Sequence, residues 1–159
     1  MLHNTKIDIA KGKREKIVAI LNQRLADAAD LKSQAKQAHW NVKGMNFIAL
    51  HELFDRVATE LDPMVDDIAE RITTLGGTAL GTARVVAANS TLPEYPLEIT
   101  DGAAHVEALS NVLADFGKKV RSDIDAVDEL GDADTADLFT GVSRSIDKLL
   151  WFVEAHLQS

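Results

Sequence analysis

Five side chains of this sequence have the types and spacing to hold a metal cation: His39, His51, Asp55, Asp66 and Glu70. On a helical wheel that starts at His51, Asp55, Asp66 and Glu70 fall at about 40°, 60° and 100°. Two i, i+4 pairs therefore share one arc, beside an apolar stripe on the same helix. Imidazole and carboxylate groups on one face make a donor set suited to non-haem iron or manganese. Taken alone, His51–Asp55 is an ordinary surface pair. Asp66–Glu70 is less ordinary, because like charges one turn apart repel unless a cation lies with them.

Distance decides how these groups can be used. His51 and Asp66 are 15 residues apart, or about 22 Å along a helix. One metal ion cannot reach both within a single chain. Two copies of the helix, antiparallel about a two-fold axis near residue 60 or 61, would set His51 and Asp55 of one against Asp66 and Glu70 of the other. A two-fold interface repeats every contact, so the spacing predicts two identical intersubunit sites about 22 Å apart. His39 is a third contributor from the first copy, since the short turn at Lys43-Gly44 folds its helix back onto the second.

The elements that must position these groups are legible as apolar periodicities. Ile17, Ile20, Leu21, Leu25, Ala28, Leu31 and Ala35 predict a first helix running to about Asn41, broken by Gly44. Asn46 is expected to cap the second helix, with Met45 and Leu50 as its hydrophobic staple. Phe47, Phe54, Val57, Leu61, Met64, Ile68, Ile72 and Leu75 continue that helix, and Gly76-Gly77 stop it. Pro63 lies inside and should weaken or bend it locally. Residues 78–99, with Pro93 and Pro96, read as a long connection with room for one short helix. Thr100 or Asp101 caps a third helix carrying Val106, Leu109, Val112, Leu113, Phe116, Val120, Ile124 and Val127. Gly131 ends it, and Asp132 or Asp134 caps a fourth helix reaching Leu157. The fold class expected is all-α, a four-helix bundle with a long crossover between the second and third helices, which is the ferritin-like arrangement.

At 159 residues and 46% hydrophobic, the chain suits one domain with a substantial core. A bundle domain over 15–159 is expected, preceded by a short basic tail over 1–14. There is no cysteine, which excludes disulfides, zinc–thiolate sites, iron–sulfur clusters and thiol nucleophiles together. No apolar run reaches the roughly 18 residues of a membrane span, and the first residues lack the apolar stretch of a signal peptide. A cytoplasmic location is the expectation. The net charge of −8 is uneven: residues 1–16 hold five cations against Asp8 and Glu15, a local +3, which leaves −11 for the rest. An acidic body repels phosphate backbones, so any DNA binding would have to rest on the amino-terminal segment.

Gln37-Ala38-His39-Trp40-Asn41-Val42-Lys43-Gly44, followed by Asn46-Phe47-Ile48-Ala49-Leu50-His51-Glu52-Leu53-Phe54-Asp55, resembles the signature of the Dps family. Asp66-Asp67-Ile68-Ala69-Glu70-Arg71, then Leu75-Gly76-Gly77, and the ending Asp147-Lys148-Leu149-Leu150-Trp151-Phe152-Val153-Glu154 continue the resemblance, which covers about residues 15–157. It implies a hollow dodecamer of four-helix subunits with ferroxidase sites between two-fold-related chains, each holding at most two irons. Carried over by position, His39, His51 and Asp55 come from one subunit and Asp66 and Glu70 from its partner, with Glu70 the tightest or bridging ligand. The reaction implied is oxidation of Fe(II) to Fe(III), preferably by hydrogen peroxide rather than oxygen, followed by growth of ferric mineral in the cavity. Zn(II) should compete for the site on affinity grounds. Ordinary ferritins carry a within-bundle Glu-x-x-His motif that this sequence lacks.

The resemblance also implies that aspartates between the third and fourth helices line three-fold pores through which iron reaches the cavity. Asp128, Asp132 and Asp137 match best, and Ala133 stands where some members have another aspartate. Trp40 lies beside the metal site in such proteins and is expected either to intercept radical by-products or to serve as plain core. His3 is expected in a mobile tail, and His105 and His156 as surface or packing residues. A second function of another class is sequence-independent DNA compaction, with iron oxidation secondary and the protein associated with the nucleoid. Twelve copies of a weakly basic tail would then supply avidity that salt abolishes steeply. A third reading is a bundle that oligomerises without metal chemistry.

Overall fold

The computed structural model describes residues 2–158; Met1 and Ser159, the outer ends of the expected tail and bundle, lie outside the described residues. Five helices follow in order: α1 Lys11–Asn41, α2 Phe47–Thr74, α3 Ala83–Asn89, α4 Gly102–Glu129 and α5 Ala133–Glu154. The four long ones form the bundle, with α1 packed along α2 and α4 along α5. The short α3 sits in the crossover between α2 and α4 and rests on α1. Among the described residues the chain is all-α, apart from one isolated bridge between Lys43 and Asp101. No described helix is long and apolar enough to cross a membrane.

The apolar faces predicted from the periodicity meet in one core. Ile17, Leu21, Leu25 and Leu31 of α1 are fully buried, as are Phe54, Leu61, Ile68 and Ile72 of α2, Leu109 and Phe116 of α4, and Phe139 of α5. Truncating one such Phe to Ala removes roughly 3–5 kcal/mol, so this core rather than any single polar contact fixes the helix positions.

Several helix ends differ from expectation. α1 starts at Lys11, well before its first apolar repeat at Ile17. Lys and Arg extend helices readily, and the early turn is anchored by Arg14, whose guanidinium is buried and donates to the carbonyls of Leu75 at 2.7 Å and Ile9 at 3.1 Å. The backbone N–H of His3 donates to Gly76 at 2.7 Å. Gly76 has φ +85°, and a Cβ there would stand 2.5 Å from the His3 carbonyl, so only glycine fits both the turn and the docked segment. The segment before α1 is thus held against the end of α2 rather than free, and Lys6 and Asp8 leave it without net charge.

Asn46 makes no side-chain cap, and Met45 is fully exposed, so the expected staple with Leu50 is absent from the chain. The turn is closed by backbone instead, Phe47 N–H to the Gly44 carbonyl at 3.1 Å. Asp101 caps α4 through the amides of Ala103 and Ala104 at 3.0 and 3.3 Å. Asp132 caps α5 through Thr135 N–H at 3.1 Å. α5 ends at Glu154 rather than Leu157. Pro63 lies within an unbroken α2, so His51 and Asp66 do lie on one helix.

Candidate metal centre

His39, in the last turn of α1, and His51, in the first turns of α2, are brought face to face by the short turn between them. Their rings stack with centroids 3.7 Å apart and planes 23° from parallel. Each ring is fixed by the other residue's backbone: His39 Nδ1 lies 2.7 Å from the His51 carbonyl, and His51 Nδ1 lies 2.8 Å from the His39 carbonyl. A carbonyl oxygen only accepts, so both rings hold their proton on Nδ1 and present the lone pair of Nε2. That is the tautomer a metal-binding imidazole needs, held by the second contact that such ligands normally have.

Asp55 lies one turn beyond His51 on α2. Its Oδ1 is 4.0 Å from His39 Nε2. The same oxygen accepts from Lys36 Nζ at 2.6 Å. The Lys36 hydrogen bond holds the Asp55 carboxyl below its ordinary range, with burial opposing and the charge of Lys36 assisting. An ammonium group therefore stands beside the carboxylate where a metal cation would be expected. Lys36 escaped the sequence reading, although its place one turn before Trp40 on the same helix was a usable signal; its Nζ lies 5.7 Å over the Trp40 ring. Trp40 itself is 66% exposed, so it is not core within the chain.

Asp66 and Glu70 are exposed, on the far half of the same continuous helix. They are not brought to His39, His51 and Asp55. Among the described residues, no three His, Cys, Asp or Glu side chains of one chain, His39, His51 and Asp55 included, stand close enough together to hold a metal ion. The helix carries a nitrogen-rich half-set at one end and a carboxylate half-set toward the other.

The Ferritin-like domain family matches residues 18–159. A DNA protection during starvation protein from Agrobacterium fabrum is 46% identical over 98% of this chain and 96% of its own length. Its namesake from Mycolicibacterium smegmatis is 33% identical over 92% of this chain and 80% of its own length. The solved structure of DpsA14 from Streptomyces coelicolor superposes with a TM-score of 0.94 at 34% identity, covering 99% of this chain and 94% of that one. The chain belongs to the Dps family of ferritin-like proteins.

Within this Dps-family chain the three aspartates singled out for a pore fall into different environments. Asp128 and Asp137 are exposed. Asp132 is 2% exposed, and both its oxygens are committed. Oδ1 accepts from Arg71 Nη2 at 2.7 Å and caps α5, while Oδ2 accepts from the Thr135 hydroxyl at 2.5 Å. Asp132 is thus an internal anchor between α2 and α5 and is withdrawn from the surface a pore would need. His105 is buried, as a packing residue would be, and donates to or accepts from Tyr95 OH at 2.6 Å.

Proposed function

We propose that this chain is the subunit of an iron-oxidising, iron-storing cage whose metal site is completed by a two-fold-related copy. The observation that carries this reading is the reciprocal His39–His51 lock. It leaves the Nε2 lone pair of His39 4.0 Å from Asp55 and that of His51 free of its backbone contact, while Asp66 and Glu70 wait on the same helix at a distance no single ion can bridge. Antiparallel pairing of two α2 helices would bring the half-sets together twice.

Iron is the substrate in this scheme. His39 and His51 supply neutral nitrogen donors, and Asp55, Asp66 and Glu70 offset the charge of Fe(II) and still more that of Fe(III), with Glu70 as the tightest or bridging ligand. Two Fe(II) ions each give one electron to hydrogen peroxide, which takes two protons and leaves as two waters. Pairing the electrons in this way releases no hydroxyl radical. Oxygen is the slower alternative oxidant. Asp128 and Asp137 would attract Fe(II) toward a three-fold pore, and ferric mineral would grow inside a twelve-subunit shell. A cytoplasmic location fits this chemistry, since Fe(II) and peroxide meet there.

The relatives named for DNA protection suggest the biological outcome. With the amino-terminal segment docked through Arg14 and Gly76, protection by removing iron and peroxide is favoured over compaction by mobile basic tails. Anaerobic loading with Fe(II), then peroxide at half the iron concentration, tests the reading. Rapid ferric absorbance, with soluble iron co-eluting with the oligomer, is expected. Oxidation no faster than in buffer, or iron precipitating outside the protein, would overturn it. A gel-shift salt series on the same preparation should show little DNA bound; tight, salt-sensitive binding would revive compaction.

A further inference from the structure

Tyr95 and His105 form a buried polar pair that the metal centre does not use. Tyr95 lies on the crossover and His105 in the first turn of α4, and they are 9% and 1% exposed. The phenol oxygen is 2.6 Å from His105 Nδ1, and the two rings are nearly parallel, 20° apart, with centroids 6.0 Å from one another. A phenol donates more strongly than it accepts, so Tyr95 gives its hydrogen bond to the Nδ1 lone pair and the ring's own proton sits on Nε2. That nitrogen is buried, on a ring that the backbone carbonyls of Ile99 and Asn41 also approach.

Three further facts give the pair a direction. The Phe54 ring packs 6.4 Å from His105, and Phe54 immediately precedes Asp55, so the pair lies one side-chain layer inward from the proposed iron ligands. Burial holds the His105 pKa below its ordinary value, with the carbonyls of Ile99 and Asn41 and the charge of Asp101 opposing. Trp40, the other aromatic near the centre, has the Lys36 ammonium over its face, which opposes the cation radical that a Trp first forms on losing an electron.

We propose that Tyr95 and His105 act as a proton-coupled electron donor that quenches one-electron oxidants formed when peroxide reacts at the neighbouring metal centre. The proposal rests on the iron-oxidising reading. A hydroxyl radical, produced when a lone Fe(II) reduces peroxide, takes one electron from Tyr95 and becomes hydroxide. The phenolic O–H bond breaks, and its proton forms an N–H bond at His105 Nδ1. A neutral tyrosyl radical and an imidazolium remain. Fe(II) then returns one electron, becoming Fe(III), and the proton moves back to the Tyr95 oxygen.

The chain has a single tyrosine, so any tyrosyl signal is Tyr95. The test is freeze-quench electron paramagnetic resonance on the assembled protein, loaded anaerobically with less Fe(II) than sites and mixed with peroxide. A tyrosyl spectrum that narrows with ring-deuterated tyrosine is expected. It should vanish in Tyr95→Phe, with hydroxyl radical then caught by a spin trap in solution. In His105→Gln it should form about a hundredfold more slowly, the usual scale of a lost general base. Ferric absorbance without a tyrosyl signal, or a radical on tryptophan alone, would overturn the pair and leave the iron reading intact. Absent ferric absorbance would overturn the iron reading, and a second measurement then decides the pair. A photogenerated ruthenium(III) oxidant, with no iron present, should oxidise Tyr95 faster in the wild type than in His105→Gln and more slowly in heavy water. Equal rates in a His105→Gln protein of unchanged helicity would contradict the proposal.

Discussion

The two ends of α2 treat their candidate metal ligands in opposite ways. At the amino-terminal end, His51 is locked ring-to-carbonyl with His39, and Asp55 is neutralised by Lys36. Toward the carboxy-terminal end, Asp66 and Glu70 are exposed, and the order there lies behind them, where Arg71 reaches across to Asp132 and Thr135 of α5. One end thus offers donors with fixed direction, and the other offers charge on a fixed backbone. Nitrogen ligands need a defined tautomer and ring plane, whereas carboxylates tolerate several binding modes. In the proposed cage, a helix divided in this way works only when a second copy runs against it.

The largest test removes either end. His51→Ala with Asp55→Ala, or Asp66→Ala with Glu70→Ala, should each slow peroxide-driven ferric formation by at least about a hundredfold, with the oligomer retained on size exclusion. Unequal losses, with the carboxylate double variant near wild type, would break the symmetry of the comparison and reduce Asp66 and Glu70 to surface charges.

The next concerns what holds the carboxylate end. Asp132→Ala leaves the Arg71 guanidinium facing a buried gap and should cost about 3 kcal/mol, read as a melting temperature lowered by several degrees. Asp137→Ala, on the exposed turn, should stay within about 0.5 kcal/mol while slowing iron uptake. Equal destabilisation by both would mean that the buried and exposed aspartates are not distinct in kind.

Lys36 sharpens the other end. Lys36→Gln removes the ammonium that competes for Asp55 and should tighten anaerobic binding of Co(II), a slow-to-oxidise surrogate for Fe(II), by about fivefold. Calorimetry measures it, and weaker binding would make Lys36 an aid to the site rather than a stand-in for the metal.

The smallest effect lies away from α2. Burial raises the Asp123 carboxyl to about 6, with Arg24 opposing and Asp27 assisting. A carboxyl raised in the folded state stabilises fully below its ordinary value of 3.8 and loses that contribution as pH rises through about 6. Asp123→Asn, which cannot ionise, should therefore gain a few degrees of melting temperature relative to wild type between pH 4.5 and pH 7.5. A constant difference across that range would place Asp123 in a more solvated setting.

Much of this arrangement was legible in the sequence because α2 is one uninterrupted helix. A wheel drawn through Pro63 remains valid, so the shared arc and the separation of His51 from Asp66 followed from counting alone. The meeting of His39 with His51 followed from the brevity of the turn at Gly44. The docking of the first residues did not, since it runs through backbone carbonyls that carry no residue signature, and Arg14 looked like one more basic residue of a tail. Asp132 was marked as a candidate helix cap, yet nothing in type or spacing showed that it is buried where Asp128 and Asp137 are exposed; the approach of Arg71 from another helix does that. The Tyr95–His105 pair likewise joins the crossover to α4 through packing that no local pattern records.

The most direct test of an intersubunit site is complementation between the two defective proteins. The His51→Ala, Asp55→Ala and the Asp66→Ala, Glu70→Ala variants should be unfolded together, mixed equally, reassembled and assayed with Fe(II) and peroxide. In a mixed two-fold pair, one site receives both defects and the other receives none, so random mixing should restore about a quarter of wild-type sites. Recovery near that level is the predicted result. No recovery, from co-assembled particles shown by mass spectrometry to contain both chains, would contradict a metal centre shared between copies.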